Sequence, residues 1–193
     1  MKYPTLVGGL VAVCASTLPL AASAQSVVTI YGVVDAGVTH VTNGGSGNAN
    51  LQTSGGYGTS RFGFRGVEDL GGGLRASFAL EAGMANDTGT GQPSNSNNQA
   101  SGAGTGTGLT FNRLAYVALS GGFGEVHLGR DFALAHLNTL SFDAFNNNGV
   151  AKANSLVYGI VGTGPLYTTQ LVSNTISYSL PKTLGGVYGG VML

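Results

Sequence analysis

Charge is scarce along this chain, and several other features of ordinary soluble proteins are missing. Its eight basic and eight acidic residues make up 8% of the 193, whereas about 25% is usual for a soluble domain. So sparse and balanced a set leaves no basic surface for nucleic acid. Tryptophan is absent, and the single cysteine, Cys14, lies in an N-terminal segment that we expect to be removed. The mature chain therefore has no disulfide and no sulfur ligand for a metal.

Long apolar runs are also missing beyond residue 24, although the mean hydropathy is +0.21. A membrane-spanning helix needs about 20 consecutive apolar residues. The first 24 residues instead have the organisation of a secretory signal peptide. Lys2 supplies the positive charge, Leu6–Ala21 the apolar segment and Ala22–Ala24 the small residues of a cleavage site. We expect residues 1–24 to be removed, and we disfavour a membrane anchor because the run is short and interrupted by a proline.

A strict alternation of side chains marks the stretch Gly73–Met84. One face carries Leu74, Ala76, Phe78, Leu80, Ala82 and Met84, and the other carries Arg75, Ser77, Ala79 and Glu81. A period of two predicts a strand with one apolar and one polar face. In an exported chain with few charges and no mature cysteine, we expect the apolar face to contact lipid and the polar face to line a water-filled lumen.

The same pattern recurs as hairpins with unequal ends. The predicted strands are Val27–Thr39, Ser60–Val67, Gly73–Met84, Leu109–Ser120, Phe123–Gly129, Asn174–Leu180 and Gly186–Leu193. Long polar loops at 43–56, 85–108 and 131–173 alternate with short turns at 68–73, 120–123 and 181–185. We expect all the long loops at one end of the sheet and all the short turns at the other, as in outer-membrane barrels.

Catalytic and metal-binding patterns are missing. His40, His127 and His136 are scattered without the spacing of metal ligands, and no serine occupies a Gly-x-Ser-x-Gly elbow before a helix. The sequence therefore predicts a protein that is not an enzyme and uses no cofactor or metal. An exported surface adhesin or autotransporter-type β protein is the alternative. It would show a stacking repeat of about 20 residues, whereas the repeat here is a hairpin with variable loops.

Four segments carry a resemblance to a known family. They are Val28–Asp35 (VTIYGVVD), Ser60–Ala76 (SRFGFRGVEDLGGGLRA), Asn112–Leu119 (NRLAYVAL) and Phe123–Arg130 (FGEVHLGR). In order, they resemble the first strand, the second hairpin, the fourth strand and the fifth strand of Gram-negative general porins of the betaproteobacterial type. The Ser60–Ala76 segment is the most specific of the four.

The resemblance implies an all-β fold, an antiparallel transmembrane barrel of about sixteen strands, with the third loop folded into the lumen. It implies a homotrimer in outer-membrane lipid that lets small hydrophilic solutes and ions diffuse passively. This chain would hold the first seven strands, as an open curved sheet in residues 25–193. The chain stops at Leu193, within a predicted strand, whereas proteins of the family it resembles end with an aromatic residue. We therefore expect a fragment or a shortened reading frame.

Charged side chains of the polar face and of the long loop are the candidate pore-lining residues. They are Arg61, Arg65, Arg75, Glu81, Arg113, Asp131, Asp143 and Lys152. The resemblance assigns Arg61 and Arg113 to a basic ladder on the wall and assigns the loop acids to the opposite side. Alternatively, Arg61 is the cross-strand partner of Asp35 or Glu81. Lys152 resembles the basic residue that precedes strand six in the family, which leaves the position of that strand open.

Two expectations concern the rim of the sheet. Arg130 has the parity of the lipid-facing set, so we expect it at the rim or beyond a β-bulge. Aromatic side chains are candidates for interfacial girdles, with plain strand propensity as the alternative. They are Tyr116, Phe123, Tyr178 and Tyr188.

Overall fold

The computed structural model describes residues 26–43, 47–92, 108–149, 151–153 and 170–193. The predicted signal peptide and parts of all three predicted long loops lie outside the described residues. The strands are β1 (Val27–Val33), β2 (Ala36–Asn43), β3 (Gly47–Ser54), β4 (Arg61–Gly71), β5 (Leu74–Ala85), β6 (Thr90–Gly91), β7 (Leu114–Gly121), β8 (Gly124–Phe132), β9 (Leu171–Ser179) and β10 (Gly190–Met192). One helix, α1 (Leu134–Phe142), follows β8.

The main sheet is antiparallel and runs in the order β1-β4-β5-β7-β8-β9-β10, with β6 paired to β5 at the side. This path of seven neighbouring strands confirms the predicted all-β antiparallel fold. Strands β2 and β3 form a separate two-stranded hairpin. No helix in the described ranges is both long and apolar enough to cross a membrane.

The register confirms the predicted separation of faces. Phe64 lies opposite Leu80, whereas Arg65 lies opposite Ala79, and Asp69 lies opposite Arg75. Because side chains alternate across a strand, Phe62, Phe64, Phe78 and Leu80 share one face, and Arg61, Arg65, Arg75 and Glu81 share the other. We call these the apolar face and the polar face.

Turn chemistry places the short connections at one end. Gly72 and Gly73 join β4 to β5 with φ angles of 61° and 82°. Two central residues with positive φ form the type I′ turn, which matches the twist of a tight hairpin. The turns after β4, β7 and β9 share this end, and the longer connections after β1, β5 and β8 share the other. The predicted alternation is confirmed.

The first predicted strand was wrong in one respect, because Val27–Thr39 is interrupted at Val34 and Asp35. Beyond that point the chain leaves the sheet as β2 and pairs with β3, so most of the predicted loop 43–56 is a strand. Asp35 causes the break, since its own backbone and carboxylate bind the segment 55–60 instead of a neighbouring strand.

Other strand boundaries also differ from the predictions. Strand β4 continues to Gly71, β7 begins only at Leu114, β8 continues to Phe132, and the last strand is limited to Gly190–Met192. Among the described residues, the strand after α1 is β9, which pairs with β8 and settles the position of strand six at Leu171–Ser179. Lys152 lies before it in the long connection.

The prediction for Arg130 is confirmed, whereas the prediction for Tyr116 is wrong. The register of β8 shifts between Gly129 and Asp131, which confirms the bulge expected near Arg130. Tyr116 lies opposite Ala79 and Gly129 on the polar face, so its assignment to an apolar girdle was wrong.

Burial is inverted relative to a soluble protein. Val28, Ile30 and Val117 on the apolar face are 62%, 66% and 56% exposed. Glu81, Thr175 and Ser177 on the polar face are at most 6% exposed. Water would penalise such an exposed apolar face, because large contiguous apolar surfaces are rare on soluble monomers.

Gly63 allows a close approach on which the polar face depends. A Cβ at this position would lie 2.7 Å from the Leu80 carbonyl oxygen and 2.8 Å from Tyr31 Cζ. We expect Gly63→Ala to lower the free energy of unfolding by about 1–3 kcal/mol, the usual cost of overpacking. Gly122→Ala is the matched control, because a Cβ there meets no atom within 4 Å. Heat-modifiable gel migration measures both, and equal transition temperatures would contradict the packing argument.

Candidate functional site: a charged cavity on the polar face

Glu81 is the centre of a charged cluster on the polar face. Its Oε1 lies 2.5 Å from Arg113 Nε and its Oε2 lies 3.5 Å from Arg61 Nε. The Tyr31 hydroxyl donates a hydrogen bond of 2.9 Å to the same Oε2. The cluster forms because the register sets Glu81 opposite Gly63, and the missing side chain of Gly63 leaves room for the Tyr31 ring.

Arg113 lies in the segment before β7, and its side chain contacts this cluster. The register places Leu114 and Tyr116 on the polar face, so continued alternation would turn Arg113 to the apolar face. Instead, Arg113 precedes β7, its amide donates to the Glu81 carbonyl oxygen at 3.0 Å, and its guanidinium lies 5.8 Å over the Phe132 ring. A guanidinium between a carboxylate and an aromatic ring is held by charge and by cation–π attraction.

Residues 134–149 and 151–153, here called the covering segment, lie over the cluster. Together, α1 and the turn after it enclose a cavity of about 380 Å³ against the polar face. Its lining includes Arg61, Glu81, Arg113, Phe132, His136 and Lys152. His136 is 1% exposed and stands 5.4 Å from the Phe132 ring, which anchors α1 to the end of β8. Among the described residues, the lining of the cavity therefore has three basic side chains and one carboxylate.

Asp143 ends α1 and organises the turn that follows. Its carboxylate accepts hydrogen bonds from the amides of Phe145 at 2.9 Å, Asn147 at 2.9 Å and Ala153 at 3.0 Å. The bond from Phe145, followed by those from Ala153 and Asn147, holds the pKa of the Asp143 carboxyl below its usual range. This carboxylate thus serves the backbone of the covering segment.

A second cluster on β8 was missed by sequence reasoning. His127 Nδ1 lies 2.6 Å from Asp131 Oδ2, and His127 Nε2 lies 3.1 Å from Glu125 Oε1. The Tyr116 ring stacks on the imidazole with centroids 4.4 Å apart. Strand alternation places Glu125, His127 and Asp131 on one face, but residues four positions apart in a regular strand are about 13 Å apart. The contact of Asp131 with His127 accompanies a register irregularity between Gly129 and Asp131, which alternation does not reveal.

The predicted site residues thus fall into two groups. The cavity brings together Arg61, Glu81, Arg113 and Lys152. The other four have other neighbours: Arg65 lies 5.3 Å over the Tyr31 ring, Arg75 opposes Asp69 near a short turn, Asp131 binds His127, and Asp143 binds loop amides. Of the two partners proposed for Arg61, the structure shows Glu81. A pore-lining role stays a prediction for all eight.

Removing the central carboxylate tests the cluster. We expect Glu81→Gln to lower the free energy of unfolding by about 2 kcal/mol, because two guanidiniums then face each other without a counter-charge. Glu68→Gln is the matched control, since Glu68 is exposed near the short turn. Heat-modifiable migration in urea measures both variants. Equal urea midpoints for the two variants would show that hydration by solvent, and not the Glu81 carboxylate, stabilises the two guanidinium groups.

Acid should loosen the covering segment. Because the Asp143 pKa is lowered in the folded state, its contribution is complete above the ordinary carboxyl pKa and is lost as the pH falls through the lowered value. A nitroxide attached at Ala144→Cys should gain mobility over that acidic range. Adding Asp143→Asn should remove the pH dependence, and an unchanged profile in that double variant would contradict the assignment.

Comparisons with known proteins agree with this architecture. A sequence model of the family described as Gram-negative porin matches residues 9–193. Outer membrane porin protein 32 of Delftia acidovorans is 38% identical over 172 residues, which are 88% of this chain and 44% of that protein. Major outer membrane protein P.IB of Neisseria meningitidis serogroup B is 36% identical over 129 residues, 63% of this chain and 32% of that protein.

A solved structure is similar as well. The anion-selective porin from Comamonas acidovorans matches with a TM-score of 0.68 and 35% identity, covering 87% of this chain and 46% of that one. The chain therefore spans less than half the length of these relatives. The adhesin alternative is not supported, whereas the match over residues 9–193 confirms the resemblance. This chain belongs to the Gram-negative porin family.

Proposed function

We propose that the protein carrying this chain is an outer-membrane channel through which small hydrophilic solutes and ions diffuse passively, without catalysis. The observation that carries the proposal is the opposition of the two faces of one sheet. Large apolar side chains are exposed on one face, and buried charged groups gather on the other beneath α1. A sheet wall between lipid and water needs this arrangement.

The side chains of the two faces are stable in different surroundings, one in water and the other in hydrocarbon. An arginine that faces lipid at mid-depth costs about 2–4 kcal/mol, so Arg61 and Arg65 require water on their side of the sheet. The exposed Val28, Ile30 and Val117 gain by contact with hydrocarbon, because apolar surface is penalised in water. We therefore propose that the polar face lines the lumen and that the apolar face contacts outer-membrane lipid.

The covering segment is the proposed constriction within residues 131–173. It places Lys152 on the same cavity as Arg61 and Arg113, with Glu81 as the opposing charge. Fixed charges at a narrow waist sort ions by sign. The excess of positive charge favours anions, and the similar Comamonas structure is named as an anion-selective porin. We propose the same preference for this chain.

The other candidates receive proposed roles by position. Arg65 and Arg75 would line the wall between the constriction and the short turns, since both lie on the polar face. Asp131 would line the wall as the partner of His127, and Asp143 would shape the constriction through the loop backbone. We further propose a homotrimer, supported by the family resemblance, and an export signal in residues 1–24, supported by Lys2, the apolar segment and the small residues at 22–24.

Ion selectivity tests the channel and its constriction together. In planar bilayers, with protein purified from outer membranes, we expect Arg113→Ala to shift the permeability ratio towards cations by about twofold, because a fixed positive charge is lost at the waist. The reversal potential under a KCl gradient measures the shift. Lys182→Ala, which removes an exposed charge in the turn before β10, is the matched control. An equal shift in both variants would contradict the placement, and the absence of any current would contradict the channel.

A further inference from the structure

Asp35 binds the connection between β3 and β4 through a single carboxylate oxygen. Its Oδ2 accepts hydrogen bonds from the amides of Tyr57 at 2.7 Å and Gly58 at 2.5 Å. Its own amide donates to Ser60 Oγ at 2.9 Å, and this hydroxyl donates back to the Asp35 carbonyl oxygen at 3.2 Å. Ser60 has no exposed surface. The segment 55–60 is therefore fixed to the end of β1.

The same segment contacts the far end of the segment that covers the cavity. The Gly149 amide donates a hydrogen bond of 2.9 Å to the Tyr57 carbonyl oxygen. The Tyr57 amide thus donates to Asp35, and the Tyr57 carbonyl oxygen accepts from Gly149 in the segment that follows α1. At the other end of the described turn, Asp143 shapes the backbone through its contacts with the Phe145 and Ala153 amides.

Arg61 is attached to this support as well. Its Nη1 donates a hydrogen bond of 3.0 Å to the Thr59 carbonyl oxygen, one residue beyond the amides that Asp35 holds. A shift of residues 57–59 would therefore move two acceptors. One is the Tyr57 carbonyl oxygen, which binds the Gly149 amide, and the other is the Thr59 carbonyl oxygen, which binds the Arg61 guanidinium. Arg61 lines the cavity, and so does Asn148, the residue before Gly149.

We propose that Asp35 is a positioning residue for the constriction: its carboxylate fixes residues 57–59 and thereby sets the distance between the α1 segment and the arginines of the wall. This inference rests on the proposed channel function. Hydrogen bonds to a charged acceptor are about twice as strong as neutral ones. One carboxylate oxygen that holds two adjacent amides defines the turn better than water or a neutral side chain would.

The first test uses single-channel currents of the purified protein. Loss of a hydrogen bond to a charged group changes an equilibrium by about tenfold. We therefore expect Asp35→Ala to raise the fraction of time in substates of altered conductance by about tenfold. Asp69→Ala is the matched control, because Asp69 also accepts an amide, that of Gly71, but at the opposite end of the strands. Equal records for the two variants would overturn the proposal.

The second test does not depend on conduction. A nitroxide at Asn148→Cys reports the mobility of the segment beside Gly149, and with Cys14 in the predicted signal it is the one thiol of residues 25–193. We expect higher mobility with Asp35→Ala and unchanged mobility with Asp69→Ala. Higher mobility without altered currents would show that Asp35 anchors the segment but does not set the aperture, which overturns the proposal.

Two further outcomes separate this proposal from the channel function. One outcome is that no variant conducts while Asp35→Ala raises the mobility of the nitroxide. This outcome would confirm that Asp35 anchors the segment. It would contradict the channel function and, with it, the role of Asp35 in setting the aperture. If Asp35→Ala does not assemble, Asp35→Asn replaces it. We expect a change of the same sign and smaller size, because the neutral amide oxygen is a weaker acceptor. Wild-type currents and mobility in a folded Asp35→Asn would overturn the role of the charge.

Discussion

The ion pairs of Glu81 with Arg61 and Arg113 are the interaction on which the rest of the polar face depends. Charged groups that lose water need partners, and these three residues come from β4, β5 and the segment before β7, so their pairing requires the observed register. A one-residue slip would turn every side chain of a strand to the other face and move the arginines to the apolar face. The lining of the cavity has more basic than acidic side chains among the described residues. In the proposed channel, the contact that stabilises the polar face would therefore also determine the charge that a solute meets.

Glu81 differs from Asp35 and Asp143 in what its carboxylate binds. Glu81 neutralises arginines, whereas Asp35 and Asp143 accept backbone amides and shape the segments around the cavity. The division has a physical reason: a short aspartate in a turn reaches the amides of nearby residues, while a longer glutamate in a strand reaches across to its neighbours. The two aspartates act on different parts of one structure, the support at residues 57–59 and the turn after α1.

Much of the sheet was predictable, because strand alternation is local. Phe62, Phe64, Arg61 and Arg65 show their faces in the sequence itself, and the glycine pairs mark the tight turns. The β2–β3 hairpin was not predicted, because Gly47–Ser54 is rich in Gly, Asn and Ser, which are typical of loops. Its alternation of Ala49 and Leu51 with Asn48, Asn50 and Gln52 is short. The site was predictable to a similar extent. Arg61 and Glu81 follow from parity, and parity also places Asp131 on the face of His127. Their direct contact accompanies a register irregularity that alternation does not reveal.

The sequence by itself determined that the chain forms antiparallel strands with one apolar and one polar face, because side-chain alternation and glycine turns act between residues a few positions apart. It also determined the family, through segments such as Ser60–Ala76. Only the tertiary structure decided which charges meet. Arg113 reaches Glu81 across 32 positions, and the Gly149 amide binds the Tyr57 carbonyl oxygen beside the cavity. These contacts depend on register and on the path of a long connection, and neither is set by local preference.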